Sequence, residues 1–383
     1  MPLFAIVSSL LPRIGDHRAA GFPADHLGPQ NAFFVSSGRA ALTILLKILR
    51  ETLDRREVVI PAYTCFSVPS AIARTGLTIR LCDIDPKTLD LDLNALVRLD
   101  LTKALCIVPS GLYGLPSDLP ALESIARRSG AYLIDDAAQC LGATFDGRTC
   151  GSFGDAGLYS LGRGKGITTM GGGIVVTRRD DVASRIAQEV CTLPHPAVPS
   201  VCAAVVNSLV YATMLRPSLY WLIDHAPFLD LGASHFEPNF PIAHLSEYQR
   251  RLTMQVLPLL SSYNWLRREH ADRIRAGIEG VEGIEVPQPI EGAKPVYLRL
   301  PVLTRDKTHR ELLIRRLRKA GIIASASYPT SIADISSIAS YLAADQALCP
   351  NARSVATRIL TLPTHAGVTS RDLEVMTRII RES

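Results

Sequence analysis

Residues 160–173 read SLGRGKGITTMGGG, a loop that sets one lysine, Lys165, among six glycines. Glycine admits positive φ and lets a backbone come close to a bound group, so a glycine-rich loop around one amine suits a small anion, phosphate first. The nucleotide-hydrolysing phosphate loop is excluded, because its lysine precedes Ser or Thr whereas Lys165 precedes Gly166. On the loop alone, a solvent-exposed turn between two strands is the competing reading.

Working outward, GLYSL runs into the loop and GGGIVVT runs out of it, and both have the short β-rich texture of strands. EVVIPA, TIRLCDID, KALCIVPS and AYLIDD repeat that texture upstream between helical stretches, so Ser37 to Thr177 predicts a sheet with helices on both faces. SDLPALESIARRSG is a fully punctuated helix, with Asp118 as N-cap, basic residues in the last turn and Gly130 past the end. From Leu245 onward long helical stretches dominate, followed by short strands and two further helices. The expectation is an α/β protein: a large domain over 1–244, with an apolar insertion near 192–240, and a small C-terminal α/β domain over 245–383. No internal repeat suggests a solenoid.

With 383 residues, 47% of them hydrophobic and 20% charged, the chain has ample material for a large core. Its net charge of +5 is mild and scattered, unlike the basic stripe of a nucleic-acid binder. The eight cysteines lack the spacing of a zinc or redox site, so no metal is expected and a reduced cytoplasmic protein is the simpler account. MPLFAIVSSLLPRIGDHR lacks the basic start of a signal peptide. Val201 to Leu215 is uncharged but short for a membrane span, and 201–223 has two readings: a buried or subunit-interface element, or a surface that meets lipid, associating the protein with a membrane.

Ligands of open α/β sheets gather beyond the carboxyl ends of the strands. Those ends carry Tyr63, Thr64 and Cys65, then Asp135, Asp136 and Gln139, then Ser160. SSGRAALTILLKIL places Ser37 and Gly38 at a helix N-terminus, a natural anion seat. A phosphate seat, a carboxylate at a buried strand end and a lysine in a glycine loop together meet the needs of pyridoxal 5'-phosphate. Taken singly, Asp136 is equally a helix or turn cap; Asp135 reads as scaffold, Asp155 as a turn residue and Tyr159 as core.

SSGRAAL, VVIPAYTCFSVPSAI, LIDDAAQCLGATFDGRTCGSFGDAG, YSLGRGKGITTMGGGIVVT and SVATRILTLPTHAGVTSRDLEVM, in that order, resemble the successive blocks of the DegT/DnrJ/EryC1/StrS family of sugar aminotransferases. The resemblance implies a fold type I pyridoxal phosphate enzyme, aspartate aminotransferase-like, working as a homodimer. It would move an amino group, with L-glutamate as donor, to a nucleotide- or lipid-linked keto-sugar. It makes Lys165 the Schiff-base lysine and proton carrier, and Asp136 the partner of the pyridine nitrogen. Gln139 would lie near the cofactor's phenolic oxygen, Ser160 would bind phosphate, and the amides of Gly38, Arg39 and Ala40 would meet phosphate at the helix start. Where the family has an aromatic side chain on the cofactor ring this chain has Cys65, so Tyr63 or Phe66 is expected to substitute. Further departures are Gly111 in place of a histidine and Ile242 in place of an asparagine, for which Asn239 or His244 could stand in. They keep two rival readings in play: a regulatory cofactor-binding protein without turnover, and a different, eliminating chemistry.

Overall fold

The computed structural model describes residues 1–10, 31–214 and 235–383, so the stretch 215–223 of the apolar insertion lies outside the described residues. Nine strands precede the C-terminal region: β1 (Asn31–Val35), β2 (Glu57–Pro61), β3 (Thr78–Cys82), β4 (Ala104–Ile107), β5 (Tyr132–Asp136), β6 (Thr144–Phe145), β7 (Arg148–Thr149), β8 (Ala156–Ser160) and β9 (Gly173–Thr177). Seven of them form the central sheet in the order β1-β9-β8-β5-β4-β2-β3. From β3 across to β8 all neighbours are parallel, and β9 runs antiparallel to both β8 and β1.

The physical reason is visible in the strands. β2, β4 and β9 are buried at every position, the expectation for a sheet covered by helices on both faces. Crossover helices supply the cover: Gly38–Arg50 buries nine residues, including Leu42, Ile44, Leu45 and Leu49. Leu119–Ser129 has the punctuation expected, with Asp118 accepting from the Ala121 amide at 3.2 Å and Gly130 left-handed at φ 65°. β1 was not among the expected strands. Its NAFFV run lacks the alternation that flags a half-buried strand, and its place is fixed by pairing with β9, more than 130 residues later.

The reversal at β9 positions the lysine loop. Because β8 and β9 are antiparallel, residues 161–172 leave and re-enter the sheet at the end where β2, β4 and β5 also terminate. Ser37 bridges to Gly172, which brings the start of helix Gly38–Arg50 to the same place.

The C-terminal region opens with helices Glu247–Val256 and Leu260–Ile278, separated by a 3₁₀ turn at Leu257–Leu259, where Pro258 interrupts the long helical pattern. Tyr248, Leu252, Val256 and Leu260, just past the boundary expected at 244/245, share one apolar cluster with Leu141, Tyr159 and Ile167. A small antiparallel sheet of Ile284–Glu285, Arg299–Thr304 and Ile359–Pro363 follows. The uncharged segment forms helix Val198–Met214, which packs against Leu3–Leu10 and Glu247–Val256. Among the described residues no helix is long and apolar enough to cross a membrane.

Gly157 in β8 lets two backbones touch: a Cβ there would stand 2.0 Å from the Gly151 carbonyl oxygen. Gly157→Ala is expected to destabilise the fold by at least about 1–3 kcal/mol, as overpacking of a dense interior does, read as a lowered urea midpoint at unchanged m.

Candidate active site

One cleft receives all these strand ends. The first turn of helix Gly38–Arg50 brings Ser37, Gly38 and Arg39; β5 and its turn bring Asp136, Ala138 and Gln139; β8 and its loop bring Ser160 and Lys165. Thr64, Cys65, Ser67 and Ser110 complete the polar lining. Seven of the residues expected to bind cofactor are therefore together: Gly38, Arg39, Cys65, Asp136, Gln139, Ser160 and Lys165.

Three are not. The Ala40 amide, expected to face phosphate, instead donates to Ser37 Oγ at 3.1 Å, and Ala40 is fully buried. The capping serine claims that amide, which leaves Gly38 and Arg39 as the first-turn residues on the lining. Tyr63 and Phe66, expected over the cofactor ring, lie off the lining in an aromatic cluster around Tyr328. Tyr63 meets Tyr328 edge-on at 6.1 Å and bonds the Tyr113 hydroxyl at 2.9 Å, while Phe66 lies 5.8 Å from Tyr328. From that stretch, Thr64, Cys65, Ser67 and Val68 line the cleft. Asn239 and Ile242 line a separate groove with Lys47 and Arg74, and His244 stacks on His195 at 4.8 Å.

Gln139 is held at both ends of its amide. Its oxygen accepts from the Tyr113 backbone at 3.0 Å and its nitrogen donates to the Tyr328 hydroxyl at 3.3 Å. Thr64 donates to Ser110 Oγ at 2.8 Å, tying the end of β2 to the end of β4. Ser110 was not anticipated from sequence, although its place directly after KALCIVP at a strand end was the available signal. Gly111 also finds its reason here, because a Cβ at that position would lie 2.3 Å from Cys140 Sγ. The space a side chain would need is already filled.

The two adjacent aspartates divide their work. Asp136 is buried on the cleft wall, with one oxygen accepting from the Ala138 amide at 3.0 Å. Burial raises its carboxyl above the ordinary range, opposed by that amide and by the Lys165 ammonium. Asp135 points the other way and accepts from the Gly151 and Phe153 amides; burial pushes it up to about 7. Asp155 accepts from the Leu133 amide at 2.9 Å and pairs with Arg179, and Tyr159 is core, its hydroxyl donating to the Cys150 carbonyl at 2.6 Å.

Residues 21–193 and 243–381 match the DegT/DnrJ/EryC1/StrS aminotransferase family. The chain belongs to this family. It is 34% identical to GDP-perosamine synthase of Caulobacter vibrioides over 163 residues, a stretch spanning 43% of this chain and 44% of that relative. Against the UDP-N-acetyl-3-dehydro-alpha-D-glucosamine 3-aminotransferase of Acidithiobacillus ferrooxidans the identity is 25% over 351 residues, 91% of this chain and 83% of that one. In fold it is similar to the crystal structure of DesV from S. venezuelae, with a TM-score of 0.75 and 24% identity over 99% of this chain and 93% of that one.

The DegT/DnrJ/EryC1/StrS aminotransferases depend on pyridoxal phosphate, and the residues of this cleft fit that group. A buried carboxylate and an amine share one wall, and the start of a thirteen-residue helix opens onto the same space. Gly38 is close-packed there, since a Cβ on it would lie 3.1 Å from Ser160 Cβ, so the backbone itself forms the surface beside the serine.

The raised carboxyl of Asp135 fixes the sign of a pH effect. The folded state holds its proton up to about pH 7 while the unfolded chain releases it near the ordinary carboxylate pKa of about 4, so its contribution to stability falls as pH rises through this window. Asp90, pushed up to about 6 by burial, acts in the same direction. Asp135→Asn, which keeps an acceptor oxygen, is expected to flatten the pH dependence of unfolding free energy between about pH 4 and 7, measured by urea titration across that range.

Proposed function

We propose that this family member moves an amino group from an amino-acid donor, L-glutamate, to a keto-sugar, with Lys165 and Asp136 as its catalytic residues. The observation that carries the reading is the meeting of Lys165 and Ser160, Asp136 and the Gly38 helix start on one cleft, from three separate segments at the sheet end. Bound pyridoxal phosphate supplies a carbonyl that links to amines and a pyridinium ring that withdraws electrons from the carbon losing its proton.

The protein's part is to hold, orient and move protons. With the cofactor bound, the Lys165 amine would hold its carbonyl between turnovers and, once free, would be the base that takes and returns the substrate's proton. Asp136 keeps the ring nitrogen protonated; its burial, which disfavours a lone carboxylate, strengthens its attraction to a cation placed opposite. The amides of Gly38 and Arg39 and the hydroxyl of Ser160 hold phosphate at the positive end of the helix. Gln139, its amide fixed by Tyr113 and Tyr328, would offer a rigid edge to the bound ring, and Cys65 would line the ring's side of the cleft.

The GDP- and UDP-linked sugars in the names of the two relatives support a carrier-linked keto-sugar as acceptor. We further propose a homodimer working in the cytoplasm. Helix Val198–Met214 turns Val206, Leu209 and Val210 outward, and Leu3–Leu10, packed beside it, turns out Phe4 and Val7. Apolar side chains in such numbers fit a covered subunit face. A lipid surface is the rival cover, and sedimentation with vesicles separates the two.

Adding L-glutamate to the yellow holoenzyme is expected to replace its visible band with a near-ultraviolet one. Lys165→Ala should abolish that conversion, and Asp136→Asn should slow it by about 100-fold or more. An unchanged wild-type spectrum with glutamate would overturn the donor, and normal turnover by Lys165→Ala would overturn the lysine's role.

A further inference from the structure

Helix Leu260–Ile278 comes from beyond the central sheet, yet one of its turns reaches both chemical segments of the cleft. Asn264 Nδ2 donates to the Leu141 carbonyl at 2.9 Å, in the turn that follows Asp136 and Gln139. Arg267 Nη1 donates back to Asn264 Oδ1 at 3.0 Å, and its Nη2 donates to the Gly166 carbonyl at 2.9 Å, the residue next to Lys165. The two side chains are only 2% and 7% exposed.

The surrounding backbone is shaped to admit them. Gly142 is left-handed at φ +83°, and a Cβ there would lie 2.6 Å from Asn264 Nδ2. Leu260, one turn earlier, closes the apolar side, its Cδ1 3.5 Å from where a Cβ on Gly166 would stand. A buried arginine is costly: burial pushes the guanidinium down to about 10, and among the described residues its Nε has no hydrogen-bond partner. A core helix that needed only packing would place an apolar residue here more cheaply.

We infer that Asn264 and Arg267 form a clamp that fixes the register of the lysine loop against the Asp136 turn, making Arg267 a positioning residue for Lys165. The inference rests on the proposed role of Lys165. A glycine-flanked loop has little stiffness of its own, since Gly164 and Gly166 place no Cβ beside the lysine. The carbonyl of Gly166 is the handle by which a rigid helix sets where the lysine stem begins. Misplacing a reacting group by about 1 Å costs on the order of 100-fold in rate, so the clamp's effect belongs in turnover more than in substrate affinity.

The test uses full-length holoenzyme of wild type, Arg267→Met and Arg267→Lys. Amide hydrogen exchange of residues 161–169 is expected to accelerate about tenfold or more in Arg267→Met, with kcat for the glutamate half-reaction reduced and KM little changed. Arg267→Lys, which can reach Gly166 or Asn264 but not bridge them, should fall between. If Arg267→Met does not fold, Arg267→Lys and Asn264→Ala are read in its place. Exchange in 161–169 and kcat both equal to wild type in a folded variant would overturn the clamp. Borohydride reduction of the wild-type holoenzyme followed by peptide mapping checks the underlying reading separately: a label absent from Lys165 sinks the lysine's assignment, while the exchange rates still report on the clamp.

Discussion

Close approach of backbones at the carboxyl end of the sheet is the constraint on which the cleft depends. A Cβ on Gly173 would stand 2.3 Å from the Ser37 carbonyl oxygen, and one on Gly157 would stand 2.0 Å from that of Gly151. The first contact holds the start of helix Gly38–Arg50 against the end of the lysine loop; the second holds the turn before β8 against β8 itself. Replacing Gly173 separates two chain segments that both line the cleft, whereas replacing Gly157 displaces the turn that Asp135 secures on the opposite face. Packing density, more than any individual polar contact, brings a helix N-terminus, a carboxylate and an amine to one wall.

The same closeness sets the electrostatics. Asp135 and Asp136 are consecutive on β5, so their side chains leave opposite faces of the sheet. One face offers amides, and Asp135 takes two of them to secure the turn carrying Gly151 and Phe153. The other face offers the cleft, where Asp136 receives one amide and keeps its remaining capacity for a partner across the space. A strand of period two thereby separates an acid that secures a turn from one that faces the cleft, with no residue between them.

Features set by neighbours in sequence were legible without a structure. Asp118, Gly130 and the strand ends at Asp136 and Ser160 declare themselves through caps, glycine and β-rich runs, and the lysine loop through composition. Features set by distant partners were not. Nothing near Tyr63 or Phe66 says that Tyr328 will gather them into a cluster away from the cleft. The amide of Ala40 reads as an anion donor until the Ser37 side chain is seen to occupy it. β1 needed β9, and the Asn264–Arg267 pair needed Leu141 and Gly166, each more than 100 residues away.

The altered positions of the cleft follow from the same logic of shared space. Gly111 is hemmed in by Cys140 Sγ, and that thiol in turn donates to the Gly111 carbonyl at 3.3 Å. A Cβ at 111 would also lie 3.2 Å from the Leu115 carbonyl oxygen, so side chain and backbone together leave room for glycine alone. Cys65 lines the cleft, whereas Tyr63 and Phe66 lie off its lining, held by Tyr113 and Tyr328. The cleft thus sets Asp136, Ser160 and Lys165 beside an apolar surface of Leu42, Val68, Leu112 and Leu158. In the proposed function, Lys165 and Asp136 serve the chemistry and that apolar surface meets the acceptor.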